Sequence, residues 1–404
     1  MFYGRHMDDD RSGVAAATAV ISVPKLAPAD SFVLHAPLEL LARALLLPFV
    51  RPAGLPKARA RIEWLAAKYA AAGDPVEQPS LVDVTSVSDG VGRFLDAVRA
   101  GELDEVDRVA HWLGTHASPD ELQRALAEPI AASLAAAAHG SILLYLLPRV
   151  GGDGIGTLLR GPARELARHP DWQLRWFDDP DAAAETDGTL ADALLDVPAL
   201  GLPGSDFIFP IMNQAEESGI AAKLLAGVAT TDAATARHDL SRIAALSMLQ
   251  EPPDYAPYGW SHCLTMPQAV IALAGRGRAS RTAVAVAATH VVGFRAALGQ
   301  RTLHADFKPE RTSTTDFAEA IALGPDHAAA AVWFAPERDT SGIVAELATR
   351  AALHHDAHLA KYTLACFDAA SADRTRRRLY LAAAASLSSW WSRQPDEDED
   401  EDED

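Results

Sequence analysis

The sequence predicts an all-α protein with a single large multi-helix domain. Alanine and leucine dominate the 404 residues and recur at the three- and four-residue spacing of helices. Alternation typical of strands is scarce, and no Asn-Gly or Asp-Gly pair stands between two β-branched runs, so hairpins are not expected. No Gly- or Ser-rich stretch is long enough to separate two domains. A hydrophobic content of 49% with 23% charged residues is typical of a globular chain.

Helices are expected wherever the apolar spacing persists between Gly and Pro residues. The Ala-rich segment 119–147 ends at Pro148 and is expected to be one continuous helix, whereas 340–370 is expected to break near its middle. In chain order, the predicted helices are 38–47, 58–71, 91–100, 119–147, 161–168, 215–227, 234–249, 267–274, 281–298, 340–370 and 374–391.

Three regions depart from this pattern. The segment 151–258 is rich in Gly, Pro and Asp and is predicted to be irregular, either as an insertion over a site or as irregular packing. Residues 1–30 are predicted to be an N-terminal extension, poorly ordered at its start, and 31–391 the helical domain. Residues 396–404 are nine consecutive acids, so 392–404 is predicted to be a disordered, solvated tail.

The charge balance argues against some partners. The formal net charge is −19, and −10 remains when the nine acids of the tail are subtracted. This argues against nucleic acid, and the one basic cluster, 374–378, is predicted to be a solvated helix face. With only two cysteines, no disulfide framework is expected. The longest apolar stretch contains a histidine, and three acids precede any apolar run, so we expect no membrane span, no secretory signal and a cytoplasmic protein.

The histidines are the residues that most clearly indicate a functional site. If their surroundings are helical, His139 and His290 have only apolar residues three and four positions away. Burying an imidazole without a partner costs on the order of 1–3 kcal/mol, so each ring needs one. One such ring is usually part of a core, whereas two on separate helices favour a shared internal site. His35 and His262 shortly precede prolines that can occupy the first turn of a helix, from which a side chain can point into the core.

The last candidates are His354, His358 and Lys361, which share one face if their segment is helical. Burial and neighbouring positive charge lower the pKa of a lysine and favour its neutral amine. A neutral amine can bind carbon dioxide as a carbamate, a carboxylate-like anion that can bind a hard metal ion. The alternative is a lysine whose ammonium group reaches solvent.

Short segments around these residues resemble the scattered motifs of the questin-oxidase-like family. They are 34–37 (Leu-His-Ala-Pro), 138–140 (Ala-His-Gly), 259–265 (Gly-Trp-Ser-His-Cys-Leu-Thr), 355–361 (His-Asp-Ala-His-Leu-Ala-Lys) and 379–385 (Leu-Tyr-Leu-Ala-Ala-Ala-Ala). The resemblance spans about 31–391, with little between 151 and 258, and it rests on the order and spacing of the motifs. Family members include oxygenases that open the rings of anthraquinone-type polyketides.

The resemblance implies a non-haem Fe(II) site made of four histidines and a lysine that CO2 has carboxylated. Carried over residue by residue, the ligands are His35, His139, His262, His290 and Lys361. His290 is included only for its apolar setting and its order in the chain. Leu34 stands where the family has Asn, a departure that affects a hydrogen bond beside the site more than metal binding. His358 is expected either to act as a base with Lys361 or to orient that lysine.

Apart from the resemblance, the residue types also support a metal site, but they do not specify which metal. Imidazoles bind iron, zinc, copper and nickel alike. Four imidazoles and one anion leave one position open on a six-coordinate ion, as oxygen activation requires. Tyr145, Tyr258, Trp260 and Phe294 are candidate substrate-binding residues, since aromatic rings can form the walls of a site for a flat substrate.

Several functions remain open at this point. The leading prediction is an iron-dependent dioxygenase that uses O2 to cleave a ring carbon–carbon bond of a small polycyclic aromatic polyketide. The nearest variant is a Baeyer–Villiger-like monooxygenase. A zinc hydrolase would use His354 and His358, four apart on one helix, although no H-E-x-x-H motif is present. The non-enzymatic alternative is a helical interaction scaffold with an acidic tail.

Overall fold

The structure, a computed structural model, confirms the all-α prediction. It describes residues 6–77, 80, 82–178, 189–204, 207–225, 231–274, 278–314 and 316–394. Across these residues there is no β-strand, and short 3-10 and π-helical turns join the α-helices. In chain order the helices are α1 (His6–Ile21), α2 (Ser31–Leu46), α3 (Leu55–Ala71), α4 (Val87–Ala100), α5 (Leu103–His116), α6 (Pro119–Ala131), α7 (Gly140–Val150), α8 (Arg160–Arg168), α9 (Leu190–Leu195), α10 (Ile208–Glu217), α11 (Ile220–Leu225), α12 (Ala233–Gln250), α13 (Ser261–Ala272), α14 (Arg278–Leu298), α15 (Phe317–Leu323), α16 (Pro325–Phe334), α17 (Thr340–Leu353), α18 (Ala357–Ala372) and α19 (Arg377–Trp391).

Four helices form a closed ring at the centre of the protein, which we call the helix ring. α2 packs against α7 and α18, and α13 packs against the same two helices. Every residue of α13 from 261 to 271 and of α18 from 357 to 367 is buried. A helix that is apolar on all sides requires other helices around it. α1 and α3 cover α2, α12 and α14 cover α13, and α19 covers α18.

Two helices of the ring begin earlier than the sequence predicted. α2 begins at Ser31 behind the N-cap residue Asp30, so Pro37 lies inside the helix and not in its first turn. α13 begins at Ser261, directly after the π-helical turn 256–260, and Pro267 lies inside it. The histidines that precede these prolines therefore lie within helices, where backbone on both sides holds them.

The predicted continuous helix 119–147 is wrong, because the chain breaks between α6 and α7. The three alanines 136–138 have φ values of 52°, 49° and 56° and form a left-handed turn. The backbone before this turn pairs with another part of the chain, for example through the Leu134 amide, which donates to the Trp172 carbonyl at 2.8 Å. Such bonds satisfy backbone groups that a continuous helix would otherwise use, so tertiary contacts override the helix preference of alanine.

The N-terminal boundary also differs from the prediction. α1 lies in the segment 1–30, yet Val14, Ala17 and Ile21 are buried in the core and α1 packs against α3 and α2. The helical domain therefore begins before residue 31. The predicted disorder at the chain start, and the acidic tail from residue 395 onward, lie outside the described residues.

The segment 151–258, which was predicted to be irregular apart from a few helices, contains α8 to α12 together with short 3-10 turns, and α9 and α11 are only six residues long. The predicted break within 340–370 is confirmed, since α17 ends at Leu353 and α18 begins at Ala357.

Among the described residues, one segment is long and apolar enough to cross a membrane by length and composition, namely Ser31–Phe49. In the structure 61% of it is buried inside the protein. It also contains a buried ion pair, Arg43 with Glu39. A core helix passes the same test of length and composition, and α2 has the burial of a core helix.

Candidate metal centre

His35 points from α2 into the centre of the helix ring. Its Nδ1 donates a hydrogen bond to the Ser31 carbonyl at 2.5 Å, which fixes the tautomer whose Nε2 carries a lone pair. That Nε2 is buried and has no hydrogen-bond partner in the described part of the chain. Burial, with Lys361 and His358 nearby, holds the pKa of His35 well below its usual range. The ring is therefore neutral, as a metal ligand must be.

His139 and His262 repeat this arrangement. His139 is the N-cap residue of α7, and its Nδ1 donates to the Ala136 carbonyl at 3.1 Å. His262 lies in the first turn of α13, and its Nδ1 donates to the Tyr258 carbonyl in the preceding π-helical turn. Burial holds the pKa of both rings well below the usual range. Each ring therefore presents a neutral Nε2 to the interior.

The three Nε2 atoms converge. Those of His139 and His262 lie 3.3 Å apart, and one nitrogen of His35 lies within 4.8 Å of both. In these tautomers both close nitrogens carry lone pairs, so no hydrogen bond can join them. Two nitrogen ligands at about 2.1 Å from one ion lie roughly 3.0–3.4 Å apart in octahedral or tetrahedral geometry. The three histidines therefore fit a single metal ion.

His358 adjoins this group from the first turn of α18. Its ring centroid is 4.5 Å from that of His35 and 4.9 Å from that of His262. Its Nδ1 donates to Asp356 Oδ1 at 3.0 Å, and the same carboxylate accepts the His358 amide as the helix N-cap. Burial, and then Lys361, hold the pKa of His358 well below its usual range. A carboxylate on the far nitrogen is common for metal-binding histidines, which makes His358 a candidate ligand beside the three others, although its nitrogens are not among those that lie within 4.8 Å of one another.

Lys361 lies one turn further along α18. Its side chain is buried, at 3% exposure, and its Nζ has no partner among the described residues. Burial lowers the pKa of Lys361 to about 7, although Asp356 and Glu39 oppose the shift. A gap of about 20 Å³ adjoins it. Near neutral pH a substantial fraction of this amine is therefore unprotonated and able to react with carbon dioxide.

His290 is not brought to this group. It lies on α14, outside the helix ring, and no contact between its ring and the four histidine rings occurs in the described part of the chain. Burial alone lowers its pKa to about 4, whereas Lys361 affects each of the other four rings. His290 is therefore not part of the histidine group, and its predicted role as a metal ligand is corrected. Its apolar helical setting is equally the setting of a core residue, and spacing along the chain cannot distinguish the two.

Two of the four candidate aromatic residues contact the histidines. The Phe294 ring stacks on His262, with centroids 6.1 Å apart and planes inclined by 14°. The Tyr258 ring meets His358 edge-on at 4.9 Å and is 47% exposed, so it stands between the site and the surface.

The other two aromatic residues lie elsewhere. Tyr145 lines the gap beside Lys361, and its hydroxyl donates to Asp368 at 3.1 Å. Trp260 is fully buried, and its indole nitrogen donates to the Pro252 carbonyl at 3.4 Å. Trp260 is therefore a core residue and does not form a wall of the site.

The helical face expected to carry both His354 and His358 is absent. α17 ends at Leu353, and His354 is its C-cap residue with an extended backbone. The His354 ring stacks on His355 at 4.2 Å and lies 5.0 Å from Trp391. The two histidines are thus not four apart on one helix, and the zinc hydrolase loses the spacing on which it depended.

The sequence analysis did not identify one ion pair that supports the site. Glu39 and Arg43 form a buried ion pair at 2.5 Å on α2. Arg43 also donates to the carbonyls of Ala352 and His354, at 2.8 and 2.5 Å. It thereby holds the turn that carries Asp356, the partner of His358. The signal available was two opposite charges four apart in an otherwise apolar helix.

Comparison with known proteins does not assign this chain. No family model, no curated protein and no solved structure matches it.

Proposed function

We propose that this protein is a non-haem iron-dependent dioxygenase that cleaves a ring carbon–carbon bond of an anthraquinone-type phenol or hydroquinone. The observation that carries the proposal is the convergence of three neutral Nε2 atoms, with His358 packed against two of the rings and Lys361 one turn further along α18. All five residues lie in the segments that resemble the questin-oxidase-like family, and His290 lies in none of them. That coincidence supports membership of the family.

The proposed ligands are His35, His139, His262, His358 and the carbamate of Lys361. Iron(II) accepts both imidazole nitrogen and carboxylate-like oxygen. Five ligands leave one position open, which distinguishes a catalytic site from a closed structural one. When bound there, iron(II) would supply the activation of dioxygen.

Lys361 has two proposed roles. Its neutral Nζ forms a bond to the carbon of CO2, and one amine proton leaves to solvent, which yields a carbamate anion that a bound cation would stabilise. An oxygen of that carbamate can then accept the phenolic proton of the substrate. Asp356 holds His358 through Nδ1, so we assign His358 to metal binding and not to the base role.

The two oxygenase variants differ in how many oxygen atoms enter the product and in whether a reductant is consumed. In the dioxygenase reaction both atoms of O2 enter the ring-opened product, and no reductant is consumed. A Baeyer–Villiger-like monooxygenase inserts one atom, and the other leaves as water with two electrons from a reductant. Phe294 and Tyr258 are proposed to flank the substrate ring, because both already contact the histidines.

Labelled dioxygen tests the proposal. Iron-loaded protein is incubated with a hydroxyanthraquinone hydroquinone under 18O2, with His262→Phe as the inactive control. Two labelled atoms in a ring-opened product are expected. One labelled atom would favour the monooxygenase variant. No oxygen uptake at full iron occupancy, with any polycyclic phenol, would overturn the proposal in favour of the scaffold.

A further inference from the structure

An open cleft of about 840 Å³ lies beside the C-terminal half of α18. Its apolar wall includes Phe49 and Phe367, whose ring centroids are 5.5 Å apart, together with Leu45, Val344 and Leu381. A volume of this size lies within the range of small-molecule sites. The cleft therefore has room and apolar surface for a flat ligand of several rings.

The cleft leads toward Lys361. Leu364 and Asp368 line both the cleft and the small gap beside that lysine, and so does Arg149. Positions 361, 364 and 368 share one face of α18, and seven residues of helix correspond to about 10 Å. Arg149 donates to both carboxylate oxygens of Asp368, at 2.7 and 2.8 Å. This ion pair separates the cleft from the gap.

Positive charge is in excess at the mouth of the cleft. The charged lining residues are Arg149, Arg374, Arg377, Arg378, Glu337 and Asp368. Two of these arginines are paired with the two acids. Arg378 instead donates to two backbone carbonyls, at 2.9 and 3.2 Å, and Arg374 has no ion pair with any described residue. The basic cluster 374–378, predicted to be a merely solvated helix face, thus lines a cleft in a strongly negative chain.

We propose that this cleft binds a polycyclic aromatic anion, with its carboxylate against Arg374 and Arg378 and its rings against Phe49 and Phe367. Guanidinium groups bind carboxylates through paired charge-assisted hydrogen bonds, and aromatic side chains pack against flat rings. The cleft of about 840 Å³ has room for a body of three fused rings beside the Arg149–Asp368 ion pair that separates it from Lys361. A ligand bound here lies outside the reacting position that Phe294 and Tyr258 are proposed to flank, and as a statement about substrate class this inference rests on the proposed oxygenase function.

Equilibrium binding under nitrogen, where no oxidation can occur, tests the cleft by itself. Calorimetry compares anthraquinone-2-carboxylate with the neutral 2-(hydroxymethyl)anthraquinone on the full-length protein. We expect the anion to bind about tenfold more tightly, as two exposed charge contacts allow. The double variant Arg374→Gln/Arg378→Gln should lose this preference. Arg374→Gln alone should lose part of the preference for the anion. This single variant leaves the hydrogen bonds of Arg378 to the backbone intact.

Two further variants complete the test. Arg99→Gln removes an exposed arginine of α4, which does not line the cleft, and should leave both affinities unchanged. Phe49→Ala should weaken both probes equally, because it removes ring contact and no charge. Equal affinity for the two probes, or an unchanged preference in both arginine variants, would overturn the inference. Because no turnover is measured, this result is independent of the labelled-dioxygen experiment.

Discussion

The Nε2 atoms of His139 and His262 lie 3.3 Å apart, although each ring donates its Nδ1 proton to a backbone carbonyl. Two lone pairs therefore face each other in the buried centre of the protein. A cation that both nitrogens bind removes this repulsion, whereas protonation of either buried ring is disfavoured. The folded chain thus holds two imidazole nitrogens in an arrangement that a bound metal ion would stabilise.

Metal content should distinguish His262 from His290. His262→Phe is expected to lower iron occupancy at least about tenfold, because one of the converging nitrogens is lost. His290→Phe, a matched change of a buried histidine outside the helix ring, should retain the wild-type occupancy. Elemental analysis of both proteins, with circular dichroism to verify folding, makes the comparison. Equal metal content in the two variants would refute the assignment of His262.

Lys361 should carry a carbamate. With 13C-labelled bicarbonate, a carbamate carbon signal is expected for the metal-loaded wild type and not for Lys361→Met. Activity should fall in buffer depleted of carbon dioxide and partly return with bicarbonate. Lys361→Arg should be inactive, since guanidinium stays protonated. An active Arg variant would show that Lys361 is not a ligand.

Asp356 should influence the metal through His358. Asp356→Asn keeps a residue that can cap α18, but it weakens the acceptor for His358 Nδ1, so metal affinity should fall by about 10- to 100-fold. Asp232→Asn changes an N-cap residue of α12, whose side chain accepts backbone amides in the same way, and should leave affinity unchanged. Metal titration followed by competition with a chelator measures both. Equal affinities would mean that Asp356 is only a helix cap.

His290 should make stability depend on pH. Its pKa is about 4 in the fold against 6.5 for the free side chain, so the unfolded chain takes up the proton first as pH falls. His290 is neutral in both states well above pH 6.5, and it destabilises the fold progressively from there down to about pH 4. Between pH 7 and 5, His290→Phe should therefore lose less stability than the wild type, by on the order of 2 kcal/mol. Urea unfolding at both pH values measures the difference, and parallel losses would show that burial of His290 carries no such penalty.

The left-handed turn before His139 should store strain. Ala137 has a φ of 49° and is half-buried, so Ala137→Gly removes a backbone penalty of about 1–2 kcal/mol, partly offset by the entropy of glycine in the unfolded chain. A net gain of about 0.5–1 kcal/mol is expected from urea unfolding. Ala125→Gly in the right-handed helix α6 is the matched control and should cost about 1 kcal/mol. A loss of stability in both variants would contradict a strained turn.

The sequence by itself determined the helical class and most of the candidate residues. Alanine and leucine at helical spacing need no tertiary context to indicate α-helices. A histidine such as His139 among apolar neighbours must find a polar partner when it is buried, so a polar site inside the protein follows from local sequence. The segment that contains Lys361 was selected for the same physical reason.

Only the tertiary structure decided which side chains meet. His139 and His290 are alike in local sequence, each with only apolar residues three and four positions away, but α7 belongs to the helix ring and α14 packs outside it. The breaks at 132–139 and 354–356 depend on hydrogen bonds between distant segments, such as Arg43 to the His354 carbonyl. Periodicity reflects how one segment buries its own surface. These bonds instead join residues 38 positions apart (Leu134 and Trp172) or 311 apart (Arg43 and His354), and they leave no repeating pattern in either segment.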